Sequence, residues 1–87
     1  MKQEFIIVAF DSTHDAIKAE TVSGRVGITA RLIPIPPEVS AGCGLALRAA
    51  PEDLDRVRAL LKEEEVTGQF YSLVREGIKR TVEKLED

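Results

Sequence analysis

Tryptophan is absent from this 87-residue chain, and cysteine, histidine, methionine and tyrosine occur once each. The single cysteine, Cys43, leaves no internal disulfide framework, which fits a reducing compartment such as the cytoplasm. The single histidine, His14, has no cysteine or carboxylate partners at ligand spacing, so no metal site is expected, and nothing in the sequence calls for a cofactor. No Ser-His-Asp series and no recognisable pair of carboxylates suggests hydrolysis. The longest apolar run, Phe-Ile-Ile-Val-Ala-Phe at 5–10, is far short of a membrane span. The opening Met-Lys-Gln-Glu lacks the regions of a secretory signal, so the mature chain is expected to begin there, in the cytoplasm. Charge of one sign is also missing: the net charge is −3 with acids and bases interspersed. That pattern gives no basic footprint, so neither nucleic acid nor a membrane is an expected partner.

What is present reads as one small globular domain covering residues 1–87. Hydrophobic residues at 44% and charged residues at 31% exclude a disordered chain, and the length leaves room for a single core. Residues 4–10 predict a strand apolar on both faces, with Phe5, Ile7 and Ala9 on one side and Ile6, Val8 and Phe10 on the other. Such a strand belongs in the middle of a sheet covered on both sides. The run Asp-Ser-Thr-His-Asp that follows is rich in helix N-cap residues, and Ser12 with Asp15 approximates a capping box. A helix is expected to about Ser23, ended by Gly24 and Gly27. Residues 28–35 predict a second strand whose Pro34, Pro36 and Pro37 confine its far end to a sheet edge or a loop. Residues 44–49 predict a third strand. Pro51 opens a second helix, with Glu52 and Asp53 favourable to its dipole and Leu54, Val57, Leu60 and Leu61 as its apolar stripe. A fourth strand is expected at 66–74. Ile78, Val82 and Leu85 share one face of a last helix predicted over about 75–86.

This order predicts an α+β, ferredoxin-like βαββαβ fold. Its four-stranded antiparallel sheet has the spatial order 4-1-3-2, two helices cover one face, and a C-terminal helix is added. The other sheet face then needs the terminal helix or a second copy of the chain, which makes a homodimer a possible assembly.

Within that topology, the loop before the third strand and the start of the first helix lie at the same end of the sheet. Cys43, between Gly42 and Gly44, therefore shares that end with Asp11, Ser12, Thr13 and His14. A helix N-terminus and a nearby protonated histidine both favour the thiolate, the reactive form of cysteine, while Asp11 and Asp15 act against it. The glycines allow unusual backbone angles and close approach by a partner, leaving the sulfur uncovered. The alternative is an inert packing cysteine in a turn shaped by glycine, with His14 simply facing solvent.

Two runs, Phe-Asp-Ser-Thr-His-Asp-Ala-Ile-Lys-Ala-Glu at 10–20 and Arg-Leu-Ile-Pro-Ile-Pro-Pro-Glu-Val-Ser-Ala-Gly-Cys-Gly-Leu-Ala-Leu-Arg at 31–48, are followed by Pro-Glu-Asp-Leu at 51–54. Together they resemble the selenium/sulfur carrier-like family over about residues 5–72. The resemblance implies a small α+β domain whose cysteine carries sulfur or selenium as a persulfide or selenopersulfide. By position the carrier thiol is Cys43, with His14 as an orienting partner and Ser12, Thr13, Gly42 and Gly44 around the cargo. It further implies donor and acceptor proteins as partners, and at most a sulfur-transfer component rather than a complete enzyme. A non-catalytic regulatory or protein-interaction module remains the other reading.

Overall fold

The computed structural model describes residues 1–39 and 42–85. Strand β1 (Lys2–Ala9) leads into helix α1 (Thr13–Arg25), then strands β2 (Ala30–Pro34) and β3 (Leu45–Ala49). A 3-10 turn (Pro51–Asp53) opens helix α2 (Leu54–Glu63), and strands β4 (Gln69–Glu76) and β5 (Lys79–Lys84) follow. The five strands form one sheet in the order β2-β3-β1-β4-β5, every neighbouring pair antiparallel. The two-sided apolarity of β1 thus puts it at the centre, and the proline-marked β2 lies at an edge. No helix among the described residues is long and apolar enough to cross a membrane.

Alternation along β1 divides the core in two. Ile6, Val8 and Phe10 face the helices and pack with Ala16, Ala19 and Val22 of α1 and Val57, Leu60 and Leu61 of α2. On the other face Ile7, Ala46 and Leu73 form a smaller cluster edged by Phe5, Ile33, Ile35, Tyr71 and Val82, with no helix over it.

The sheet has five strands rather than the expected four, and the expected helix over 75–86 is absent from the described residues; Glu86 lies outside them. Instead β4 runs on to Glu76, and a two-residue loop, Gly77-Ile78, turns the chain back as β5, with Glu76 opposite Lys79. Gly77 takes φ +60° at the first loop position, where a two-residue hairpin of this kind calls for glycine. The three residues assigned to one helical face separate accordingly. Ile78 is fully exposed at the hairpin tip, Val82 faces the helix-free cluster, and Leu85 packs on the helix side. The terminal segment covers the edge of β4, not a sheet face.

Both helices end in the same way. At α1, the Ile28 N–H donates to Ser23 O at 2.9 Å and the Gly27 N–H to Gly24 O at 3.2 Å, with Gly27 at φ +80°. At α2, the Val66 N–H donates to Leu61 O at 2.8 Å and the Glu65 N–H to Lys62 O at 3.2 Å, with Glu65 at φ 58°. These are Schellman caps, and each sends its next apolar residue, Ile28 or Val66, into the core. Each helix also caps the other's last carbonyls: Lys18 Nζ donates to Glu64 O at 3.1 Å, and Arg56 Nη2 to Val26 O at 3.1 Å. Glu20 of α1 accepts the Leu32 N–H at 3.0 Å, satisfying a donor on the edge strand β2.

Candidate functional site

The two segments singled out in the sequence meet at one end of the sheet. Ser12 is the N-cap of α1, its hydroxyl accepting the Asp15 N–H at 3.0 Å. Thr13 and His14 follow in the first turn with exposed side chains. The β2–β3 connection approaches them through Gly42: a Cβ built there would stand 3.4 Å from the Asp11 carbonyl oxygen, immediately before the helix. That separation is ordinary van der Waals contact, so the connection lies against the chain just before the helix. Gly44 sits at φ +76°, in the left-handed region, and its carbonyl accepts the Ile35 N–H at 3.0 Å. That bond closes the connection just beyond Cys43.

Cys43 itself is half-buried. Its side chain packs against the margin of the helix-side core. The thiol donates to Leu45 O at 3.3 Å and accepts the Leu45 N–H at 3.4 Å. Gly44 therefore tightens the turn, and the sulfur is not left fully open as the sequence suggested. Thiol, helix start and the exposed imidazole-bearing turn share one end, and what joins them is backbone: the sulfur's hydrogen bonds among the described residues go to Leu45, not to His14.

A further residue of the connection matters and was not singled out. Glu38 reaches Arg80 on β5, with Nε to Oε2 at 3.0 Å and Nη2 to Oε1 at 2.9 Å. Arg80 stands two residues from Val82, on the helix-free side of the strand at the opposite edge of the sheet from β2. The described first part of the connection, residues 35–39, hence reaches across the helix-free face, and its Pro36 and Val39 are buried. A connection of this chain thus covers part of the face that seemed to need a terminal helix or a second copy. Its prolines signal a constrained segment, but its destination depends on β5, which the sequence had read as helix.

No group of three or more His, Cys, Asp or Glu side chains able to hold a metal occurs among the described residues. An open cleft elsewhere, between α2 and the start of β4, is lined by Arg58, Leu61, Lys62, Val66 and Phe70 among others, with no cysteine or histidine. The chemistry-bearing thiol of the chain is Cys43.

A family model described as "Putative Se/S carrier protein-like" matches residues 5–72. No curated protein and no solved structure matches the chain at a significant level. The matched span runs from the middle of β1 to the middle of β4, including the helix start and the cysteine-bearing connection, and ends before β5.

Proposed function

Because the chain belongs to this selenium/sulfur carrier-like family, we propose that it is a thiol carrier in which Cys43 holds sulfur or selenium between a donor and an acceptor protein. The observation that carries the reading is the position of the chain's one thiol: half-buried, in a connection whose backbone abuts the start of α1. The chemistry needs no second cysteine here. The Cys43 thiolate attacks the terminal sulfur of a donor persulfide, a new S–S bond forms at Cys43, the donor's own S–S bond breaks, and the donor thiolate leaves. An acceptor thiolate then attacks the same terminal sulfur and restores Cys43. Each step exchanges one S–S bond for another, so no net oxidant or reductant is consumed; selenium in the terminal position follows the same route. Ser12, Thr13 and His14 stand at the helix start where a terminal persulfide anion would find N–H groups and the positive end of the helix.

The Leu45 contacts of the sulfur favour a second reading, in which Cys43 is a packing residue and the chain a non-catalytic interaction module. Incubation of the purified protein with a cysteine desulfurase and cysteine, followed by intact-mass measurement, separates the two. A carrier gains a reductant-labile mass of one sulfur atom at Cys43, and Cys43→Ser gains none. An unchanged wild-type mass supports the packing role.

A further inference from the structure

The charge balance of the whole chain hides a strong sorting of charge between the two sheet faces. Strand alternation places Arg31, Arg48, Arg75, Arg80 and Lys84 on the helix-free face, with the same parity as Ile33, Ala46, Leu73 and Val82. The strand acids, Glu4, Glu76 and Glu83, fall on the opposite parity, with Ile6, Phe70 and Leu85, and only two strand cations, Lys2 and Lys79, join them there. All five cations are exposed. Two pairs stand directly opposite each other, Arg31 against Arg48 and Arg75 against Arg80. Like charges in register weaken a sheet, so an anionic ligand would relieve a cost already built into the fold. One such ligand is already present, since the Glu38 carboxylate meets Arg80 through two hydrogen bonds.

We propose that this face is a docking surface for an acidic segment of a partner protein, whose carboxylates meet Arg31, Arg48, Arg75 and Lys84 around the apolar margin. The composition fits a protein better than a nucleic acid. The Phe5 ring lies under Arg48, with the guanidinium carbon 4.9 Å from its centroid. The Tyr71 hydroxyl donates to Gln69 Oε1 at 3.1 Å. With Arg48 over the Phe5 ring and the Tyr71 hydroxyl tied to Gln69, the two rings form no open platform for stacked bases. Half-buried Phe5, Ile33, Ile35, Tyr71 and Val82 beside exposed arginines are instead the mixture found at protein interfaces. Glu38 then acts as an internal competitor, occupying Arg80 until a partner's carboxylate replaces it. The inference stands whether or not Cys43 carries cargo.

The test uses the full chain and a fluorescein-labelled peptide of glutamates interspersed with leucine and phenylalanine, followed by anisotropy. Tyr71, the sole tyrosine in a chain without tryptophan, reports occupancy of the face by its own emission. Binding should be saturable, should weaken with salt as surface ion pairs do, and should perturb Tyr71 emission. The double variants Arg31→Ala/Arg48→Ala and Arg75→Ala/Lys84→Ala should each lose roughly tenfold in affinity. Glu38→Gln should gain several-fold by freeing Arg80. Arg25→Ala/Lys62→Ala, an equal charge loss on the helix side, and Cys43→Ser should both bind as wild type. Circular dichroism melts check that each variant is folded. Three outcomes overturn the proposal: no binding at low salt, equal loss from the helix-side pair, or much tighter binding of an oligouridylate that depends on the same arginines.

Discussion

Glu38 meets Arg80 with both carboxylate oxygens, and those hydrogen bonds, helped by a bond from its own backbone N–H, hold its carboxyl below the usual carboxylate range against a small desolvation penalty. A carboxyl depressed in the folded state contributes stability above its unfolded value, and that contribution is lost as pH falls through the folded value. Both side chains are partly exposed, so the stabilisation is screened and small, and the effect to look for is local. Carbon-detected NMR titration should find Glu38 ionised to lower pH than an ordinary carboxylate, with Arg80→Ala moving its titration back up. The protection factor of the Val39 amide, its exchange rate relative to an unfolded chain at the same pH, should fall in acid as the pair breaks; an Arg80→Ala protein with an unmoved Glu38 titration contradicts the pairing. This contact is illegible in the sequence because it joins residues 42 apart through a strand whose apolar spacing also fits a helix. The approach of the connection, through Gly42, to the start of α1 was legible, since it needs only the direction of the first three strands. The degree of burial of the sulfur was not, because it depends on the φ of Gly44 and on packing against Leu45.

Among the elements, the helix ends carry the sharpest consequence. Gly27 and Glu65 occupy equivalent cap positions, but a glutamate in the left-handed region pays a steric cost that glycine avoids. Glu65→Gly should therefore stabilise the protein by up to about 1 kcal/mol, read as a raised midpoint in urea denaturation. Loss of stability instead would mean that the Glu65 side chain makes a contribution larger than its backbone cost. The start of α1 was readable from Ser12 and its end from Gly27, although the helix runs through Gly24 to Arg25 rather than stopping at about Ser23, whereas no sequence signal distinguishes Glu64-Glu65 from two more helical residues. The C-terminal misreading has a related cause. Ile78, Val82 and Leu85 fit helical spacing, but Thr81 and Val82 suit a strand equally, and Gly77-Ile78 between two polar-apolar alternations is a hairpin signal. With β1 already central, β4 has one free edge, and pairing that edge satisfies more backbone than a loose helix would.

For the molecule as a whole, the relative order of the first four strands, the central β1 and the two-helix layer follow from hydrophobic alternation and from proline and glycine placement. The fifth strand and the basic face do not, because a net charge of −3 averages over faces that only strand pairing separates. The fold holds Cys43 at the rim of the core, and a carrier thiol there must work without the domain opening. Alkylation of the native protein with a small haloacetamide, followed by intact mass alongside circular dichroism, tests this directly. Cys43 should be modified to completion in native buffer while the spectrum stays folded, and the modification should be absent in Cys43→Ser. A thiol that reacts only as urea unfolds the chain would contradict the carrier role and make Cys43 a packing residue.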